Sequence, residues 1–458
     1  MPMLVTDMSE IIKDKVLDLL EEHKYSELRG QLEELNAADL AQIFSDIPEN
    51  ILPVVFRLLP KDLASEAFVM MDSDQQEELI HAFSDLELRD VLSQLFVDDA
   101  VDLIEEMPAA VVKRILKNTS RKKREVINEV LNYPKNSAGS LMTVECVDLK
   151  KEMTVKEAFD RIRLDGVNKE TIYTCYVTEQ GRVLVGIVTA RLLMIASPEE
   201  TIENLMEMNI VSCKTTDSAE DAAFLIEKYD LIALPVVDAE GRLVGIVTFD
   251  DAMDFIREKN DDDIMKMAAV IPAEETYLKT SVFAHAKNRI VWLLILMLSA
   301  TATGMIITEF ENAMTALLVS FIPMLMGTGG NSGSQSTAII IRGLATNEIR
   351  LSDFRRVLFK EIGVAFIVGC ALAVANAARL WLLDVLYYHT PGGMVKEMMI
   401  VGIALVGAVV LAKALGCILP MMAKKFKLDP ALVASPILTT LVDAGTVLLY
   451  FNIAVMFG

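Results

Sequence analysis

The sequence predicts a multidomain protein: an all-α helical-repeat N-terminal domain, an α+β tandem repeat pair, a connecting helix and a transmembrane domain of five α-helices. Three observations predict it. Short segments with apolar residues at helical spacing, punctuated by Pro48, Pro60 and Pro108, fill residues 8 to 131. A strand motif recurs 60 residues further on. Beyond Lys287 the chain turns apolar in five stretches, each long enough to span a bilayer with some tilt. The domain boundaries are expected at 1–132, 133–200, 201–253, 254–280 and 281–458.

In the first domain Leu40, Ile43, Phe44 and Ile47, then Leu52, Val55, Phe56 and Leu59, mark successive amphipathic helices. The echo of Asp39-Leu-Ala by Asp62-Leu-Ala suggests stacked helical hairpins. Asp98 and Asp102 stand four residues apart on one helix face, where like charges repel by a few tenths of a kcal/mol. They are either a tolerated solvated face or half of a cation site. After the turn Tyr133-Pro-Lys-Asn-Ser-Ala-Gly139 strands alternate with helices. Gly181-Arg-Val-Leu-Val-Gly-Ile-Val-Thr189 is answered by Gly241-Arg-Leu-Val-Gly-Ile-Val-Thr248, one residue shorter. Each copy follows a β-rich run, Thr171 to Thr178 or Leu231 to Asp238, and precedes an apolar helix.

From Asp250 the acids crowd, and Asp251, Asp254, Glu258 and Asp262 fall in one helical column beside Asp263. Acidic runs are usually hydrated faces. This one leads directly toward the first span, where hard divalent cations, which take oxygen ligands, would relieve its repulsion. The charge is uneven: from Lys287 onward 13 Lys/Arg face 9 Asp/Glu, a net of +4, so the preceding part of a chain with net charge −22 carries −26. That excess disfavours nucleic acid as a partner and favours cations. The five cysteines are scattered, which points to a reducing cytoplasm and against a disulfide framework or a zinc site. Met1 to Lys13 has acids and no apolar core, so no cleavable signal peptide is expected.

The spans are expected at about Ile290 to Thr308, Ala313 to Ile341, Ile362 to Leu383, Met399 to Met422 and Leu432 to Val455. Basic residues crowd the connections at Arg342 to Lys360 and Lys424 to Lys427, while Glu309 to Asn312 and Tyr387 to Lys396 are poor in them. The large acidic part is therefore expected in the cytoplasm and the C-terminus outside. Arg379 lies near a span end, where it can snorkel, and Lys413 is deeper, pairing with an acid or facing water. The last span holds a single acid, Asp443. A lone intramembrane carboxylate costs a few kcal/mol, and its default reading is an ion or proton pathway; the alternative is an Asp satisfied by Thr439, Thr440, Thr446 or a neighbouring lysine. The second span is expected to break at Gly327-Thr-Gly-Gly-Asn-Ser-Gly-Ser-Gln335, its freed carbonyls and Asn331 lining a cavity. An enzyme is disfavoured, since no P-loop, dinucleotide turn or Ser/His/Asp arrangement is visible among only four histidines.

The repeat around Thr189 and Thr248 resembles the CBS domain in its usual tandem form, from about Ser140 to Glu258. In nucleotide-binding members a Thr-x-x-Asp contacts ribose. The second copy has it as Thr248 and Asp251, whereas the first has Thr189 and Leu192, so ATP or another adenine nucleotide is expected at one repeat only. The order of parts, with Pro323-x-x-x-Gly327-Thr-Gly-Gly-Asn331 and Asp429-Pro-Ala-Leu-Val-x-x-Pro436-x-x-x-Thr440-x-x-Asp443, resembles the MgtE family of magnesium channels and transporters over essentially the whole chain. The resemblance implies a Mg2+-selective homodimer in a bacterial-type inner membrane, with a pore on its two-fold axis and cytoplasmic domains that bind Mg2+ and close it. It implies Asp443, Asn331 and the Gly330 carbonyl as pore residues. Its regulatory Mg2+ residues would be Asp98, Asp102, Glu220, Asp230, Asp251, Asp254, Asp262 and Asp263. The pattern departs at Ser334 and Ser435, where Asn is expected. Residue types suit hydrated Mg2+ held by carboxylates. The alternatives are a transporter of Co2+ or Mn2+ and a non-conducting divalent-cation sensor.

Overall fold

The computed structural model describes residues 15–20, 22–272, 277, 280–310, 315–346, 348–388, 394–434 and 436–457. Met1 to Lys13, Ser435 and parts of the two connections poor in basic residues, for which expectations are stated above, lie outside the described residues. The chain divides into two compact units, Met1–Ile256 and Arg257–Gly458.

The first unit opens with the expected string of short helices, from Tyr25–Glu33 to Arg121–Val130. Local chemistry sets their ends. Pro60 and Pro108 precede first turns, where a missing N–H costs nothing, and Ser84 and Glu87 form a reciprocal capping box. Their buried faces, including Leu40, Phe44, Phe56, Phe68, Leu88 and Ile115, share one core with Leu234, Val236 and Val247 of the second repeat. The helix that carries the first acid pair, α1 (Val97–Glu106), packs Val97, Ala100, Val101, Leu103 and Ile104 inward.

The internal repeat is a structural repeat. In the first copy β1 (Asp148–Leu149) runs parallel to β2 (Thr174–Thr178), which pairs antiparallel with β3 (Leu184–Thr189) in the register Cys175↔Val188. In the second, β4 (Cys213–Lys214), β5 (Ala233–Val237) and β6 (Leu243–Thr248) repeat that order with Leu234↔Val247. Between β4 and β5 lies α2 (Ala219–Tyr229). Both hairpins turn through a glycine at positive φ, Gly181 (76°) and Gly241 (79°), a conformation only glycine enters freely. The copies diverge after their last strands: Thr189 starts a helix that ends at Ile195, whereas β6 runs into α3 (Phe249–Met267). The connecting helix thus begins inside the second repeat and stops well before residue 280.

The second unit is helical. Four helices among the described residues are long and apolar enough to cross a membrane: Val282–Phe310, Leu351–Leu386, Val395–Lys425 and Ile437–Phe457. Within this unit we label α4 (Val282–Phe310), α5 (Ile322–Ala345), α6 (Phe354–Leu383), α7 (Val395–Lys425) and α8 (Pro436–Phe457). Two expectations are corrected. The second predicted span is divided, with a short helix Ala316–Val319 ahead of α5, because Pro323 sits in the first turn of a new helix. And α5 runs unbroken through Gly327–Gln335, so the carbonyls there stay in helical hydrogen bonds instead of being freed. Its glycines serve approach between helices: a Cβ on Gly416 of α7 would lie 2.5 Å from the carbonyl oxygen of Gly333.

Candidate functional site

In the membrane unit, α5 presents a buried face through Gly329, Ser332, Gly333, Ser336, Thr337 and Ile340. The opposite column, Gly327, Asn331, Gln335 and Arg342, is exposed. Gly329 meets Val442 and Thr446 of α8, and Gly330 meets Thr439, so the small residues seat α8 against α5. Asp443 shares the helical column of Thr439 and Thr446 and is therefore set alongside Gly329 and Gly330. Among the described residues Asp443 has no hydrogen-bond or ion-pair partner, and the buried Ser332 and Thr446 hydroxyls beside it are also without one. The lysine that could have neutralised Asp443 is engaged elsewhere: Lys413 lies 4.0 Å from Glu361. Sequence spacing misses Glu361, because it falls one residue before the predicted third span. A signal exists all the same, as α6 begins seven residues earlier at Phe354.

In the soluble unit, acids from distant parts of the chain converge. Asp98 and Asp99 lie in the first turn of α1, which favours anions. The backbone N–H of Glu170 donates to the Glu145 carbonyl at 2.9 Å, and Thr143 bridges Ile246, which brings both glutamates toward the end of β6. There the Thr248 hydroxyl donates to Asp251 Oδ2 at 2.5 Å. Burial, with the charge of Asp251 next, holds the Asp98 carboxyl well above the usual range. Burial and the neighbouring acids push Glu170 up to about 7 and Asp251 up to about 6. The same causes lift Asp102 to about 7, but its side chain is open to solvent at the rim, whereas Asp98 is only 8% exposed and feels the full cost of burial. Lys123 is the nearby cation, and its ammonium is turned to the carbonyls of Leu92 and Leu95.

Can this cluster hold a divalent ion? Among the described residues no three His, Cys, Asp or Glu side chains are arranged as a ready cage. Yet Asp98 Oδ1 and Glu170 Oε2 are buried without a hydrogen-bond partner. Such oxygens are costly unless a cation or water meets them. Mg2+ keeps most of its waters and needs only one or two carboxylates, so the donor set fits it. Asp99, Glu145 and Lys123 also line a cleft of about 1010 Å³, which opens the cluster to solvent.

The other expected ligands are dispersed. Glu220 is in the first turn of α2 and Asp230 caps its far end in the left-handed region (φ 51°), so about 15 Å of helix separates them. Within one chain they do not share a site. Asp262 and Asp263 are not a bare strip, since Lys266 lies 3.3 Å from Asp262 and Lys259 lies 3.6 Å from Asp263. Lys266 also donates to Asp429 at 3.0 Å. Glu145 and Glu170 were not anticipated, because nothing in the sequence spacing links them to Asp98.

Residues 322–453 match the MgtE divalent cation transporter model, 35–136 the MgtE intracellular N domain, and 138–199 and 202–258 the CBS domain. The magnesium transporter MgtE of Thermus thermophilus is 33% identical over 98% of each chain, and that of Bacillus subtilis 30% identical over 97% of this chain and 96% of its own. A solved structure described as the cytosolic domain of the Mg2+ channel MgtE in complex with ATP superposes with a TM-score of 0.51 at 33% identity, over 53% of this chain and 99% of that one. With near full-length similarity added to the order of its parts, this chain belongs to the MgtE family of magnesium transporters, which are not enzymes.

Proposed function

We propose that two copies of this chain form a Mg2+ channel that carries Mg2+ into the cell down its electrochemical gradient, and that the soluble unit senses intracellular Mg2+ and closes it. The observation that carries the pore reading is the exposed column Gly327, Asn331 and Gln335 on α5, beside an unpartnered Asp443. Such a polar face is incompatible with lipid and calls for water or a second copy. In this reading α5 is the fifth span, the soluble unit is cytoplasmic and the C-terminus lies outside. Two Asp443 carboxylates across a dimer axis would suit an ion that keeps its hydration shell. A membrane potential of 100 mV contributes about 4.6 kcal/mol to inward movement of a divalent cation.

The sensing reading rests on the buried acids. At neutral pH Asp98, Asp102 and Asp251 oppose the packing of α1 against the start of α3. Mg2+ bound there, with Asp254 on the next turn of α3, turns that opposition into cohesion and stabilises the packed form by mass action. Asp262 and Asp263, and Glu220 and Asp230 between subunits, are secondary regulatory candidates. Thr248 and Asp251 are the candidate nucleotide contacts. ATP modulates such a site without being hydrolysed. The test is Mg2+ uptake by purified protein in liposomes under an imposed potential. Flux lost in Asp443→Ala, with the dimer intact, supports the reading. Absence of flux in the wild type points to a non-conducting sensor.

A further inference from the structure

We propose that Lys413, Ser336 and Glu361 form a three-helix clamp that fixes the rotation of α5 and thereby positions its Asn331 column for ion recognition; the inference rests on the pore reading above. The Ser336 hydroxyl on α5 donates to Glu361 Oε2 on α6 at 2.5 Å and accepts from Lys413 Nζ on α7 at 3.1 Å. One hydroxyl is thus satisfied both as donor and as acceptor. The ammonium and carboxylate are 4.0 Å apart, with only 5% and 12% of their side chains exposed. The next residue of α5, Thr337, donates to the Gly416 carbonyl at 3.1 Å. The Gly416–Gly333 approach sets how closely α5 and α7 lie.

An ion pair buried among packed helices is a poor source of stability, because desolvation offsets most of its attraction and an apolar filling of the same space does as well. What it supplies here is angular specificity. Ser336 reaches both partners at one rotation of α5. Asn331, five residues earlier, lies about 140° around the helix, so it faces outward while Ser336 faces in. A slip of one residue would turn Asn331 by about 100°. Lys413 and Glu361 are therefore positioning residues, acting on the ion through Ser336 and α5.

The experiment uses full-length protein in liposomes over a Mg2+ series, with thermal unfolding in detergent alongside. Ser336→Ala leaves Lys413 and Glu361 to neutralise each other but removes their link to α5. It is expected to fold, to keep its maximal flux and to raise the half-saturating Mg2+ concentration about fivefold, the equivalent of one net hydrogen bond. Lys413→Met and Glu361→Gln each leave one buried charge alone and lower the melting temperature. The double variant regains that temperature but keeps the raised half-saturation. Wild-type half-saturation in both Ser336→Ala and the double variant would overturn the positioning role. If wild-type vesicles carry no Mg2+ at all, the pore reading fails instead. The clamp is then judged by unfolding alone, where additive single and double variants refute it.

Discussion

Buried charge is handled in opposite ways in the two units. On α1, Asp98 is buried beside Asp99, Asp251 and Glu170, all of one sign, and its Oδ1 has no hydrogen-bond partner. On α7, Lys413 is just as buried, yet it has a carboxylate at 4.0 Å and a hydroxyl at 3.1 Å. A matched pair is insensitive to its surroundings, whereas a cluster of like charges waits for an ion from outside. Asp443 belongs with the cluster despite its location, since it too lacks a partner among the described residues. Groups that hold the fold are thereby distinguished from groups that meet the cation.

The sharpest way to break that distinction is Asp443→Ala. We expect Mg2+ flux to fall at least about 100-fold, as when an essential electrostatic contact is deleted, while Asp443→Asn retains an oxygen and loses less. A folded Asp443→Ala dimer with wild-type flux would return Asp443 to the structural class.

The next test reverses the usual sign of a core substitution. Asp98→Asn removes a like charge, so without Mg2+ the soluble unit should gain about 1–3 kcal/mol in thermal unfolding and lose most of its stabilisation by added Mg2+. Lys413→Met must do the opposite, destabilising the membrane unit whatever the Mg2+ concentration. Stabilisation by Mg2+ that survives in Asp98→Asn would place the sensor elsewhere.

Protons should compete with Mg2+ at the cluster. Asp98, Asp102, Glu170 and Asp251 have folded-state values raised above those of an unfolded chain, to about 7 for Asp102 and Glu170 and about 6 for Asp251. The stability they contribute is complete below about pH 4 and is lost as pH rises through 6 to 7. Protease protection in chelator should therefore fall between pH 5 and pH 8, and Mg2+ should flatten that fall. A pH-independent protection in chelator would mean that the acids are solvated.

The smallest effect sharpens the comparison between repeats. Thr248→Ala removes a hydroxyl bonded to Asp251, a loss of about 1 kcal/mol, and should weaken any shift in Mg2+ sensitivity produced by adenine nucleotide. Thr189→Ala, in the repeat that has Leu192 where an acid would be needed, should leave that shift unchanged.

Much of this was legible in the chain. The echo of Gly181–Thr189 by Gly241–Thr248 announced two sheets of identical order, and the lone Asp443 marked the membrane site. Local signals failed where long-range packing decides. Gly327–Gln335 reads as a broken helix because each glycine costs up to about 1 kcal/mol in isolation. Between packed helices that cost is outweighed by close approach to Val442, Thr446 and Ala412 and by complete backbone hydrogen bonding. Glu145 and Glu170 join Asp98 only through the strand pairing of the first repeat, which no spacing in the sequence announces. Conversely, the Asp251–Asp263 column reads as uniformly acidic, yet Lys259 and Lys266, one turn away, pair with its lower end.

The crossing of Gly416 and Gly333 also bears on how variants of this chain should be read. Any side chain at 416, even a serine that preserves polarity, begins with a Cβ 2.5 Å from a backbone oxygen and 3.1 Å from the Thr337 hydroxyl. Tolerance at this position is therefore ordered by size alone. A saturation library should keep only glycine at 416. Gly304 and Gly363 lie in helices of the same unit, but a Cβ at either would meet nothing within 4 Å, so both should accept alanine freely.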